Sequence, residues 1–298
     1  MHYTGTIWRP PYEDASLLLE VTAGCTHHKC KFCTLYDDLP FSFRMSPLED
    51  VEEDLKEARD LLGRQNRSIT RTFLTGANPF VLKTDRLLAI AKLVRRYFPG
   101  NRTIGCFSRV TDIALKTDQE LDDLRTAGYD SLTIGIETGD GEALDFMRKG
   151  YGPDDIIQQC CRLDETGIRY YFFYLTGISG AGRGVTGARQ TAAVCNQLHP
   201  RLIGTSMLTV YPQSALAEEI QRGTWKEEGE LEKYRELRTL VEELTIPVIF
   251  AALGASNAVP LWGALPQEKP NLLDKLDQII ETSKESDLRR YRENLPHL

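Results

Sequence analysis

The sequence predicts an α/β fold built on a parallel sheet, and two observations carry that reading. Short apolar runs of strand length alternate with longer stretches in which apolar residues recur every three to four positions, and caps or glycines separate the two. Strands joined by helices need right-handed crossovers, which lay successive strands parallel.

The elements follow in order. Ser16 to Val21 is the first strand. Ser46-Pro47-Leu48-Glu49 then supplies an N-cap, a proline at the first helical position and a glutamate at the third. Leu48, Val51, Leu55, Ala58 and Leu62 continue that helix. Ile69 to Leu74 is a second strand, ending in the turn Thr75-Gly76-Ala77-Asn78-Pro79. Leu87, Leu88, Ala91, Val94 and Phe98 mark a helix stopped by Pro99-Gly100. Arg102 to Phe107 is the third strand, and Thr117-Asp118-Gln119-Glu120 is a capping box opening a helix closed by Gly128. Ser131 to Ile136 is the fourth strand, with helices at Gly141–Lys149 and Asp154–Thr166 after it. Ile168 to Leu175 and Leu202 to Val210 are the fifth and sixth strands, with a helix at Gly187–Leu198 between them. Six such units close partly into a barrel or lie flat, and periodicity leaves both open. Beyond them, Lys226 to Leu244 reads as an amphipathic helix whose charge run is a solvated face. Ile246 to Leu253 reads as a further strand and Gln267 to Ser283 as a last helix.

Composition sets bounds. At 298 residues, 41% hydrophobic and 27% charged, the chain is of ordinary globular type. Thirty-six Lys and Arg against 43 Asp and Glu give a net charge of -7, which argues against a broad nucleic-acid footprint. The N-terminus shows no signal pattern and no stretch approaches a membrane span, so no membrane association is expected. Seven cysteines, three of them clustered, speak against a disulfide framework and for a reducing cytoplasm.

Those three lie in Gly24-Cys25-Thr26-His27-His28-Lys29-Cys30-Lys31-Phe32-Cys33, just after the first strand. Thiolates are soft ligands that select zinc or an iron–sulfur cluster. Three fall one short of the four that saturate such a cluster, and an unfilled position can bind and activate a second molecule. The competing reading is a structural zinc site completed by His27 or His28, although Cys-x4-Cys-x2-Cys with a histidine inside is tight for one tetrahedral metal.

With those residues in view, the loop resembles that of the radical S-adenosylmethionine (SAM) enzymes, coproporphyrinogen oxidase and tRNA methylthiotransferase relatives above all. The commonest family spacing is Cys-x3-Cys-x2-Cys. Here the first gap is four residues and the second keeps two, with the family's aromatic residue before the last cysteine as Phe32. Gly76-Ala77-Asn78-Pro79 resembles the family's Gly-Gly-Glu-Pro segment, with Asn78 in place of its glutamate. Gly135-Ile136-Glu137-Thr138-Gly139, then Leu144 and Arg148-Lys149-Gly150, resembles the segment that reaches the ribose and methionine carboxylate. Gly177-Ile178-Ser179-Gly180 resembles the glycine-rich turn beside the adenine.

The resemblance, over about residues 15 to 212, implies a partial (β/α)6 TIM-type barrel with a C-terminal α/β extension. Residues 1–14 would be an N-terminal segment, 15–212 the core barrel and 213–298 an extension closing the substrate mouth. It implies a 4Fe–4S cluster on Cys25, Cys30 and Cys33, whose open iron chelates SAM, and reductive cleavage to a 5′-deoxyadenosyl radical. Phe32, Gly76, Ala77, Asn78, Glu137 and Lys149 are the implied cofactor contacts. Ser108 and Arg109 follow the third strand and would point into the same mouth, where the Arg109 fork suits a carboxylate, with an Arg109–Asp112 salt bridge as the bland alternative. Glu137 pairing with a neighbouring base, and Arg148 and Lys149 serving the helix dipole, are the bland readings of that segment. In the run Tyr170–Tyr174, alternate residues face opposite sides. Tyr174 is the choice to stack on adenine, and Tyr211 lies where the sixth strand ends. Cys106, Cys160, Cys161 and Cys195 read as small hydrophobes. A flavodoxin- or ferredoxin-type electron donor and a small-molecule substrate are the implied partners. No cobalamin-type domain fits before Ser16, which disfavours a cobalamin-dependent methylase. A non-enzymatic zinc or iron–sulfur module and a radical SAM enzyme acting on tRNA stand as alternatives, and the sequence leaves the substrate open.

Overall fold

Periodicity places most elements to within a few residues. The computed structural model describes residues 1–64 and 68–295. It divides into two units: Met1–His28 with Leu35–Ile134 and Arg162–Arg169, and Lys29–Thr34 with Gly135–Cys161 and Tyr170–Leu298.

The first unit carries β1 (Leu17–Glu20), β2 (Thr22–Gly24), β3 (Phe43–Met45), α1 (Leu48–Arg64), β4 (Arg71–Thr75), α2 (Thr84–Tyr97), β5 (Thr103–Ser108), α3 (Val110–Ala114), α4 (Asp118–Thr126) and most of β6 (Tyr129–Glu137). β1, β4, β5 and β6 pair in parallel, with a bulge between Ile104 and Gly105. The helices bury the stripes the sequence marks, Val51, Leu55 and Ala58 of α1 and Leu87, Ala91 and Val94 of α2, and α4 buries Leu121 and Leu124. Thr117 and Glu120 close the expected capping box on α4. At the start of β4, Arg71 uses its whole guanidinium fork. It reaches Glu13 at 2.6 and 2.8 Å, Asp130 at 2.7 Å, Ser131 at 2.8 Å and Thr103 at 3.1 Å. β2 and β3 form a two-stranded antiparallel ribbon that periodicity does not reveal, three residues a side being too short.

The second unit carries α5 (Gly141–Phe146), most of α6 (Pro153–Thr166) and of β7 (Arg169–Thr176), then α7 (Gly184–Cys195), β8 (Leu202–Met207), α8 (Ala215–Gln221), α9 (Glu230–Glu243), β9 (Val248–Ala252), β10 (Leu261–Leu265), α10 (Lys269–Thr282) and α11 (Glu285–Glu293). β7, β8 and β9 pair in parallel and β10 returns antiparallel. In cross-strand register Tyr171, Leu202, Ile249 and Ala264 share one row, and Phe173, Gly204, Ala251 and Trp262 another. Between these rows Phe172, Ile203, Phe250 and Gly263 point to the opposite face. That face is fully buried and meets helices: the Tyr174 hydroxyl donates to Glu236 of α9, and Leu272 of α10 lies against Gly263.

Strand order follows the chain, β1-β4-β5-β6-β7-β8-β9-β10, in a mostly parallel sheet. The fold is the mixed α/β architecture of a partial TIM-type barrel, and β9 and β10 add the extension's strands to its edge. No helix among the described residues is long and apolar enough to cross a membrane.

Two expectations need correction. The sixth strand ends at Met207 rather than Val210. The charged helix starts at Glu230 rather than Lys226, and its charge run is not a solvated face, since Glu230, Lys233 and Glu236 are buried. The physical reason is mutual pairing. Lys233 Nζ meets Glu227 at 2.8 Å, Arg292 meets Glu227 at 2.9 Å and Glu230 at 3.1 Å, and Glu236 accepts the Gly177 N–H at 2.8 Å. Burial with these partners replaces hydration.

Candidate active site

The cysteine loop is placed by backbone contacts. Gly24 ends β2 with φ +77°, and a Cβ there would lie 2.2 Å from the Ser42 carbonyl oxygen. The next residue, Cys25, donates its N–H to that carbonyl at 2.7 Å, so the ribbon fixes the loop's first cysteine. His28 Nε2 stands 3.2 Å from Asp37 Oδ1 on the rim of an open groove of about 280 Å³ that Tyr36, Leu39 and Phe41 also line.

Also in the first unit, Gly76 follows β4 with φ +125° against β2, a Cβ there falling 2.0 Å from Thr22 Oγ1, so only glycine fits. Gly76 and Ala77 stay partly exposed, whereas Asn78 is fully buried. Its amide donates to Thr26 Oγ1 at 2.8 Å and to both Asp112 oxygens at 3.1 and 3.2 Å, and its carbonyl accepts the Thr26 N–H at 3.4 Å. The Asn78 side chain therefore serves as a structural link between the cysteine loop and α3. Burial pushes the Asp112 carboxyl up to about 6, against the Arg109 N–H and the Asn78 amide, which favour its charge. Ser108 is buried with its hydroxyl on the Arg109 carbonyl at 2.9 Å, so it does not open to a ligand. The Asp112 carboxylate accepts the Arg109 main-chain N–H at 2.8 Å as a helix cap, while the Arg109 guanidinium donates to Thr111 at 3.0 Å.

In the second unit the rest of the loop is clamped around Lys31, which the sequence reading passed over. Its N–H donates to the Met147 carbonyl at 3.2 Å, and its own carbonyl accepts the Leu216 N–H at 2.8 Å. Its ammonium pairs with Glu219 at 2.9 Å and sits 3.8 Å from the Phe146 ring centroid. No local signal marks such a residue, because its partners lie over a hundred positions away. The Cys33 N–H donates to the Cys30 carbonyl at 3.2 Å. Phe32 packs on the apolar group Met147, Ile178, Leu208 and Leu216. Glu137, at φ +62°, binds Lys149 at 3.0 Å, and the Lys149 ammonium lies 5.7 Å from the Phe32 ring centroid and 5.5 Å from that of Tyr151. Burial works against the Lys149 charge, but Glu137, Tyr151 and Cys30 together outweigh it, so its pKa lies above the ordinary lysine value. The pairing of Glu137 with a neighbouring base is thus realised. Burial, and then the charge of Cys33, push the half-buried Tyr211 phenol up. Tyr174 is not available to stack on adenine, since it is 1% exposed on the helix-covered face with its hydroxyl on Glu236.

None of the seven cysteines is in a disulfide. Cys25, Cys30 and Cys33 are partly exposed, whereas Cys106, Cys160 and Cys195 are buried. Burial pushes the Cys195 thiol up to about 12 and Cys106 higher still, which disfavours the thiolate a metal needs. Among the described residues no three His, Cys, Asp or Glu side chains converge closely enough to hold a single ion. The fit of an iron–sulfur cluster therefore rests on three accessible soft donors within nine residues.

A sequence profile of the Radical SAM superfamily matches residues 19–184. Among solved structures, coproporphyrinogen III oxidase (HemN) from Escherichia coli, a radical SAM enzyme, superposes with a TM-score of 0.55 at 17% identity, covering 76% of this chain and 51% of that one. Methylornithine synthase (PylB) gives 0.54 at 14% identity over 93% of this chain and 85% of its own. The radical SAM methyltransferase TsrM from Kitasatospora setae, solved with cobalamin and a [4Fe–4S] cluster, gives 0.53 at 17% identity over 70% of this chain. The chain spans only 39% of the TsrM chain, and at these identities the likeness is one of fold. No curated protein sequence matches significantly.

Proposed function

The chain belongs to the radical SAM superfamily, and on that premise we propose that it cleaves SAM reductively at a 4Fe–4S cluster held by Cys25, Cys30 and Cys33. The observation that carries this reading is the set of three accessible thiols on a clamped loop inside the profile's range. Cys25, Cys30 and Cys33 would hold the cluster, which would supply the one-electron reduction that SAM cleavage and the later hydrogen abstraction need. The chain's part is to hold and orient. The exposed backbone of Gly76-Ala77 would take the SAM amino group, and the Glu137–Lys149 pair the ribose hydroxyls and methionine carboxylate. Phe32 and Tyr211 would wall the site, and Arg109 would offer a second carboxylate fork. Residues 15–212 would serve as the core and 213–298 as the substrate-side extension. The electron would come from a flavodoxin- or ferredoxin-type donor in a reducing cytoplasm, and the substrate would be a small molecule.

Anaerobic reconstitution with iron and sulfide should give one 4Fe–4S cluster per chain and, with dithionite, 5′-deoxyadenosine from SAM. Cys30→Ala should lose both while keeping the native circular dichroism. One equivalent of zinc without sulfide would sink the enzymatic reading in favour of a binding module, and co-purifying RNA would redirect it to tRNA.

A further inference from the structure

We infer that the open face of the second unit's sheet is a platform for an uncharged, ring-bearing part of the substrate, an inference that rests on the radical SAM reading. The two faces of β7 to β10 differ sharply. On one, Tyr170, Phe172, Ile203, Phe250 and Leu261 are 0–2% exposed beneath the helices. On the other, every large side chain keeps solvent access: Tyr171, Phe173, Leu175 and Ile249 are half-buried, Leu253 is 53% exposed and Trp262 50%. Strand alternation alone makes a helix-covered face and a bare one. It does not make the less covered face aromatic, and an apolar patch that keeps solvent access marks a binding surface.

The chemistry of the face selects its occupant. The two rows Tyr171-Leu202-Ile249-Ala264 and Phe173-Gly204-Ala251-Trp262, with Leu175, Ser206 and Leu253 beyond them, contain no Asp, Glu, Lys, Arg or His; the charge on this face of β7 is Arg169 at its start, and it is paired with Asp130. A charged group laid there would lose water and gain no counter-charge. Tyr171, Phe173 and Trp262 present rings that stack on a flat partner, and Ser206 gives one hydroxyl for orientation. The platform is linked to the cysteine loop: Leu175 packs on the same apolar group, Met147, Ile178, Leu208 and Leu216, that receives Phe32, one of the two residues between Cys30 and Cys33.

Three probes with one naphthalene ring test this on the anaerobic, cluster-loaded protein with SAM: 2-naphthalenemethanol, 2-naphthoate and 2-naphthylmethylammonium, followed by equilibrium dialysis. The neutral probe should bind at least tenfold more tightly than either ion. Trp262→Glu and Leu253→Glu, both at exposed positions, should each weaken it at least tenfold. Equal or tighter binding of an ionic probe would overturn the inference, as would neutral-probe binding that neither variant changes. A dimer in sedimentation that Trp262→Glu dissolves would overturn it too, assigning the face to a second copy. Probe binding is read without turnover. Selective binding without 5′-deoxyadenosine formation strikes the enzymatic reading alone, and cleavage without selective binding strikes this inference alone.

Discussion

Gly24 shows how much a single position settles. Its φ of +77° suits glycine, and the Ser42 carbonyl oxygen fills the space a Cβ would take. Gly24→Ala should therefore cost roughly 2–4 kcal/mol in left-handed strain and overlap. It should also lower the iron content after reconstitution, since Cys25 is fixed by the same carbonyl. A urea midpoint equal to wild type would contradict this. The residues around Asn78 carry a different lesson. The motif shows an asparagine where the family has glutamate, and the structure shows why an amide suits the place: Asp112, 34 positions on, already puts a buried carboxylate against it. Asn78→Ala should leave that carboxylate short of donors and destabilise the protein by about 1–3 kcal/mol, read as a lowered denaturation midpoint.

At the scale of the element, α9 is where sequence pattern misleads most. A run of Glu, Lys and Arg reads as a wet face, because charge is costly to bury unless paired, and pairing is invisible in one helix. Its partners come from the preceding loop, from α11 and from β7. Glu236 and Glu228 are both buried; burial raises the pKa of each, and in Glu228 the charge of Glu236 adds to it. A raised carboxyl pKa in the fold means that the protonated form is favoured there. That stability is fully present below the ordinary value of 4.5 and is lost as pH rises through the higher folded values. The melting temperature should fall as pH rises from about 4.5 towards about 10, and that of Glu228→Gln, which stays neutral, should fall less. Parallel curves for the two proteins would refute the assignment.

Across the molecule, polar groups as well as apolar ones hold the strands in register. Arg71 ties β4 to β5, to β6 and to Glu13 ahead of β1. Arg71→Met should leave Glu13, 1% exposed, as an uncompensated buried carboxylate and cost about 3–5 kcal/mol. A loss below about 1 kcal/mol in chemical denaturation would show that solvent already screens the group. The same scale explains the fate of Tyr174. Alternation along β7 shows that Tyr171 and Phe173 oppose Phe172 and Tyr174, but not which pair the helices cover. That depends on which side of the sheet α9 packs, a fact held in no local stretch of sequence.

By itself, then, the sequence determined the strand–helix rhythm, the caps, the sulfur loop and the six successive strands, because periodicity, capping and soft-ligand spacing are local properties of neighbouring residues. The tertiary structure decided which face of each strand is covered, that the charges of α9 are buried, and that Asn78 and Ser108 are structural while Lys31 clamps the loop. Burial and pairing join residues tens to more than a hundred positions apart, and only packing brings those residues together.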